Sequence, residues 1–224
     1  MQWLPATVRL VVMMSMSTLT MLTLDYSKVV VPDDLLPVVL AMLQEFMVGI
    51  LLLFNLQLIF VSLSFWGRLL DQQIGFTASG ILNPASKEQE PLLGSVFMLV
   101  GFVIFFSLNL HHQWLYVVFG SYQWLPISAE FNWQWFWLAG SGLSLMFTVG
   151  MLLFMPVIAG LWMFDVWCAL ISRTMPQMNM YFVAMPLKIG FGLFLLSLVV
   201  GVLDNFVMKL HLTALQLVNN IFSQ

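Results

Sequence analysis

Long apolar stretches separated by short polar ones set the pattern of this chain. Five hydrophobic segments run from about Pro5 to Leu24, Pro37 to Leu70, Leu92 to Phe119, Leu138 to Met175 and Met180 to Leu203. No Asp, Glu, Lys or Arg interrupts the runs between Glu45 and Arg68, between Glu90 and Glu130, or between Glu130 and Asp165. About 20 apolar residues carry a helix across the hydrocarbon core of a bilayer. A membrane β-barrel would need roughly ten-residue segments that alternate apolar and polar, and these runs do not alternate. The pattern predicts an all-α, polytopic membrane protein of long helices and helical hairpins.

Two of the segments are too long for a simple span. At 1.5 Å per residue the second extends about 51 Å and the fourth about 57 Å, so each must tilt, kink or project beyond the bilayer. Pro156 is expected to kink the fourth, because it removes a backbone donor and crowds the preceding turn. Gly140, Ser144 and Thr148, and then Ser197 and Gly201, repeat at four-residue spacing and predict faces of close helix approach. The tail, Asp204 to Gln224, reads as short and mildly amphipathic.

Polar residues inside the apolar segments carry more information than those outside. Gln44, Asn55 and Ser62 return to within about 20° of one helix face, with Glu45 beside them. Asp165 and Lys188 lie at equal distances from the Pro176-Gln177 turn. In an antiparallel hairpin they would share one depth, about 17 Å from its tip, and they are expected to face one another. The connection DQQIGFTASGILNPASKEQEP, residues 71–91, mixes Gly, Pro and charge with Ile74, Phe76, Ile81 and Leu82. Irregular links of that length inside a compact protein are more often functional than filler. Trp and Tyr crowd residues 120–137, the composition of a membrane interface. Met175, Met178, Met180 and Met185 crowd one turn, which suits adaptable packing or a deformable constriction.

Composition narrows the class. Of 224 residues, 61% are hydrophobic and 8% charged, against about 25% charged in an average soluble domain. The net charge is -3 and the basic residues stand singly, so nucleic-acid binding has no electrostatic basis. One cysteine, Cys168, cannot build a disulfide within the chain. On alternating sides, Arg68, Lys87 and Arg173 fall opposite Lys28 and Lys209, a slight preference for a cytoplasmic 172–179 turn.

No catalytic constellation stands out. His111 and His112 are adjacent and point about 100° apart on a helix, which suits interface histidines better than a chelating pair. His211 is isolated in the tail, Asp33 and Asp34 read as solvated loop residues, and there is no phosphate-binding glycine loop. No enzyme activity, cofactor or metal is expected.

Three stretches carry a family resemblance: GRLLDQQIGF (67–76), NPASKEQEPLLG (83–94) and RTMPQMNMYFVAMPLKIGFGL (173–193). In this order they resemble the FliR family of flagellar type III export-gate proteins, with the SctT proteins of injectisomes as relatives. Members usually carry one more hydrophobic helix before the segment that begins here near Pro5. The resemblance implies one copy of this chain joined to several FliP-like and FliQ-like subunits in a helical assembly in the bacterial inner membrane, within the flagellar basal body. An FlhB-like protein would sit at its entrance, and unfolded flagellar proteins would pass through it. It implies a FliP-like part over 1–136 and a FliQ-like hairpin and tail over 137–224. It assigns residues 74–91 as a plug loop, including Ile74, Gly75, Phe76, Gly80, Ile81, Leu82, Asn83, Pro84 and Pro91. Pro176, Gln177, Met178 and Asn179 would form the hairpin tip. The alternatives are an injectisome gate subunit and a standalone small transporter; the latter would need a midplane site and usually internal repeats, and neither is evident.

Overall fold

The structure, a computed structural model, describes residues 5–23, 34–76, 91–124, 134–175 and 180–222. Among these, α-helices account for nearly everything: α1 (Ala6–Thr23), α2 (Leu35–Ile74), α3 (Leu92–Ser107), α4 (Leu110–Trp124), α5 (Gln134–Thr174), α6 (Met180–Val200) and α7 (Leu203–Phe222). Among the described residues, three helices are long and apolar enough to cross a membrane: α2, α5 and residues Phe182–Val200 of α6. The α3–α4 pair, bent by 74°, makes a fourth if it is counted as one span.

The 40-residue α2 is the spine. It pairs with α3, α5 and α7, and its buried positions include Ile59, Leu63, Leu70 and Ile74, all at 1% exposure or less. Lipid tails solvate a leucine as well as a neighbouring helix does, so helices in a bilayer associate through close approach and polar contacts. Both are present. Helix α3 runs antiparallel to α2, and a Cβ on Gly67 would fall 2.6 Å from the Gly94 Cα. Higher up, Phe60 stacks on Phe102 with ring centroids 4.2 Å apart.

Helix α5 runs parallel to α2. Gly142 lies beside Asn55, the carbonyl of Met146 beside Ser62, and Gly150 against the Trp66 indole. The close-approach face of α5 is therefore Gly142, Met146 and Gly150, not the expected Gly140, Ser144 and Thr148, all of which are exposed. Spacing alone cannot choose between two small-residue stripes 200° apart. Ser197 and Gly201 are exposed as well; α6 instead approaches its neighbours at Gly192, against Ile74, while Leu195 fills the space over Gly160 of α5.

One further expectation needs correction, and two others gain detail. The third segment is two helices: Asn109 adopts a left-handed φ of 55°, which asparagine tolerates better than most residues, and its carbonyl accepts from the His112 N–H at 3.1 Å. Helix α5 continues through Pro156 as one 41-residue helix. The tail is a core element. Leu203, Phe206, Val207, Leu210, His211, Ala214, Leu217 and Val218 are all buried, a helical stripe that packs on α2, α5, α3 and α4.

By contrast α1 is exposed along residues 6–19. Large apolar side chains also stand exposed on α5 and α6, among them Leu152, Met163, Val166 and Leu198. Such continuous apolar faces mark surfaces that meet lipid or other chains.

Candidate functional site

The candidate functional region is the place where α2 ends, the 74–91 link leaves, and α3 begins. Helix α2 continues one turn past its expected end, to Ile74. Its C-cap is Gly75, with φ of 98° and its N–H bonded to the Asp71 carbonyl at 3.1 Å. Only glycine adopts that conformation without a Cβ penalty. Asp71, expected in the link, thus sits in the last turn of α2 and is 1% exposed.

A buried carboxylate needs donors, and Asp71 finds them across the link. The Leu93 N–H donates to both carboxylate oxygens at 3.0 Å, and the Gly94 N–H donates to Oδ2 at 3.2 Å. These belong to the first turn of α3, whose amides have no partner within the helix. The residue before α3 is Pro91, which makes no side-chain cap. Asp71 therefore caps α3 from another helix, where the positive end of the helix dipole also favours an anion. With the Gly67–Gly94 contact one turn below, the two ends of the link are held together at a narrow neck. Of the expected link residues, Ile74 is fully buried, and Gly75, Phe76 and Pro91 are half-buried. Gly80, Ile81, Leu82, Asn83 and Pro84 lie outside the described residues, as do Pro176, Gln177, Met178 and Asn179.

Beside the neck is a cleft of about 380 Å³ lined by Gln72, Gln73, Gly75, Cys168, Ser172 and Met185. Asp165 and Lys188 lie in its wall. The Lys188 Nζ is 2.6 Å from Asp165 Oδ1 and 2.8 Å from Oδ2. The structure thus joins these two, and the pair bridges α5 and α6 directly beneath the start of the link. Their side chains are 20% and 47% exposed respectively, so the pair is not sealed in the core.

The polar stripe on α2 divides. Asn55 and Ser62 are buried against α5. The Ser62 hydroxyl donates to the Met146 carbonyl at 3.4 Å, and Asn55 Nδ2 donates back to the Leu51 carbonyl at 2.9 Å. Asn55 Oδ1 and Trp66 Nε1 are buried with no hydrogen-bond partner among the described residues. Gln44 and Glu45 are only half-buried. Glu45 lines a separate, mostly apolar cleft of about 460 Å³ between α2 and α4, with Leu52, Leu56, Trp114 and Tyr122.

Sequence reasoning missed two residues. The sequence places Asp71 in the link, and an acid in the last turn of a helix, against the helix dipole, gives no signal that it belongs to α2. His211 is not isolated: it is wholly buried, its Nδ1 accepts from Trp114 Nε1 at 3.2 Å, and its Nε2 lies 2.6 Å from Gln113 Oε1. With Nδ1 accepting, the ring is neutral and its proton sits on Nε2, donating to the glutamine. Nothing in the spacing of a lone histidine signals this. Among the described residues no group of three or more His, Cys, Asp or Glu side chains could hold a metal.

The neck residues fall in the stretches that carried the resemblance, and comparison with known proteins agrees. The family model described as bacterial export proteins, family 1, matches residues 1–214. The flagellar biosynthetic protein FliR of Bacillus subtilis is 23% identical over 80% of this chain and 71% of its own length. That of Escherichia coli is 25% identical over 81% of this chain and 70% of its own. The Yop proteins translocation protein T of Yersinia pestis is 28% identical over 65% of this chain and 57% of its own. The chain belongs to the bacterial export proteins, family 1, the FliR family.

Proposed function

We propose that this chain is an export-gate subunit of the flagellar type III secretion system, and that its 74–91 link is the internal plug of the channel. In this reading one copy assembles with several FliP-like and FliQ-like subunits in the inner membrane, at the basal body. An FlhB-like protein lies at the entrance, and unfolded flagellar proteins are the cargo. The chain acts as a gate and carries out no chemical catalysis. The flagellar relatives support the flagellar over the injectisome setting. The exposed apolar faces of α1, α5 and α6 support assembly with lipid and sister chains.

The observation that carries the plug assignment is the tied neck. The link leaves and returns at one point, which suits a plug anchored at a single place in the channel wall. A transporter would need a solute site near the midplane, usually with internal repeats, and at the neck both the Asp71 cap and the Asp165–Lys188 pair are internally satisfied.

Co-expression with FliP-like and FliQ-like chains, followed by mass measurement and reconstitution, tests the reading. Deleting residues 77–90 should leave the assembly intact and raise leakage of small solutes. An intact assembly with unchanged permeability would defeat the plug assignment, and failure to co-purify with any partner would defeat the gate assignment.

A further inference from the structure

We propose that the cleft between α2 and α4 binds a phospholipid with a primary ammonium headgroup, of the phosphatidylethanolamine class. Its ammonium sits on Glu45 and one acyl chain lies along α2. This goes beyond the gate reading and is independent of the plug.

The depth of Glu45 comes first. As a helix, the uncharged run between Glu45 and Arg68 is about 33 Å long, close to the roughly 30 Å of a hydrocarbon core. Glu45 therefore stands at headgroup level on one side of the membrane and Arg68 on the other. Because α2 runs parallel to α5, Glu45 belongs to the leaflet away from the 172–179 turn. Tyr122, which lines the cleft with Glu45, is a residue type that favours the same level.

Shape comes second. Helix α4 leaves α3 at the 74° bend, and the space between it and α2 is about 460 Å³, within the size range of small-ligand pockets. Glu45, Leu52 and Leu56 return to within about 20° of one line on α2. The apolar floor of the cleft thus runs from the carboxylate toward the bilayer interior. Over Gly49 the space is open, with no atom within 4 Å of its Cβ position. The rim residues Leu53, Leu115 and Val118 are exposed, so the cleft opens sideways, as entry of an acyl chain from the leaflet requires.

Charge decides the headgroup. Glu45 is half-buried, and among the described residues no cation pairs with it, Lys188 being held by Asp165. A carboxylate in an apolar cleft calls for a counter-charge. A primary ammonium brings that charge together with N–H donors for the carboxylate oxygens. The quaternary ammonium of phosphatidylcholine brings the charge without a donor. A lysine on a sister helix would offer the same ammonium, but the headgroup depth and the sideways opening favour the lipid.

The test uses the full gate complex in phosphatidylcholine nanodiscs doped with phosphatidylethanolamine that carries a photoactivatable diazirine in its acyl chain. Cross-linked peptides are mapped by mass spectrometry. Labelling should concentrate on the α2 and α4 residues of the cleft. Glu45→Gln should lower it roughly tenfold, the fold-change for losing one charge-assisted hydrogen bond. Phosphatidylcholine with the same diazirine chain should label the wild-type cleft no better than phosphatidylethanolamine labels Glu45→Gln. Gly49→Leu keeps the carboxylate but fills the cleft, and should abolish labelling there.

Equal labelling by the two lipids, or full labelling of Glu45→Gln, would mean ordinary boundary lipid and overturn the proposal. So would full labelling of Gly49→Leu. An unlabelled wild-type cleft, with a benzophenone at position 53 joining a sister subunit instead, would show that protein covers it. Should Glu45→Gln fail to assemble, the comparison of the two lipids on the wild-type complex decides by itself.

Discussion

The indole N–H of Trp114 donates to Nδ1 of His211 at 3.2 Å, joining the α4 helix to a histidine 97 residues further along the chain. Burial of the neutral ring pushes the His211 pKa down from 6.5 to about 4. Helix α7 lies outside the long apolar spans, so the folded state competes here with ordinary protonation.

The sign of the pH effect follows. Below about pH 6.5 an unfolded histidine binds a proton that the folded one refuses until about pH 4. Stability is therefore complete above 6.5, declines as pH falls from 6.5 to 4 with a slope of up to about 1.4 kcal/mol per unit, and levels off below. Melting of the purified protein in detergent across this range should show the decline. In His211→Gln it should be flatter, and an equal slope in both proteins would rule out His211 as its source.

Gly67→Ala should be severe. The added Cβ would lie 2.6 Å from the Gly94 Cα and 2.8 Å from the Leu93 carbonyl oxygen, and backbone atoms on a packed helix cannot step aside. Overpacking of this kind costs typically 1–3 kcal/mol. Gly49→Ala is the control: no atom lies within 4 Å of its Cβ position, so it should be neutral or gain up to about 1 kcal/mol of helix propensity. Melting temperatures of the two variants, measured side by side, check both.

Asp165→Asn and Lys188→Met should not be additive. A partly exposed ion pair contributes roughly 0.2–1 kcal/mol, and the partners sit on two packed helices, α5 and α6. The double variant should lose less than the sum of the singles by about that amount, measured as assembly yield or melting in a double-mutant cycle. Additive losses would show that the contact does no work in holding α5 to α6.

Asn55→Leu should be neutral or stabilising, by up to about 1 kcal/mol. Asn55 is fully buried and its Oδ1 has no partner among the described residues. Replacing a half-satisfied buried amide with an apolar group of similar volume removes a desolvation cost and adds packing. A marked loss of stability by denaturant titration would mean that the amide has a partner in the assembled protein.

The helices were legible because continuous uncharged runs leave few other solutions in a membrane. The Asp165–Lys188 juxtaposition was legible because a hairpin reflects positions about its turn. The break at Leu108–Asn109 was hidden: no Pro or Gly marks it, and the polar residues beside it, Asn109 and His111 to Gln113, suit the interfacial end of a single span as well as a bend. The choice of Gly142, Met146 and Gly150 over the neighbouring small stripe depends on which way α5 rolls against Trp66, which is a tertiary outcome. The role of Asp71 was hidden for a similar reason, since its partners are backbone amides, and backbone amides leave no mark in a sequence. The weight of α7 was underestimated because its apolar stripe is interrupted by His211, which the sequence shows as polar and the fold uses as core.

The parallel course of α2 and α5 has a consequence for synthesis. Neighbours that point the same way cannot insert as one hairpin, so the ribosome delivers α2 well before its companion exists. Until residues 134–174 emerge, Asn55, Ser62 and the Trp66 indole face lipid without the helix that covers them. Biogenesis of this protein therefore includes an interval in which the spine stands half-built, before the later helices close over it.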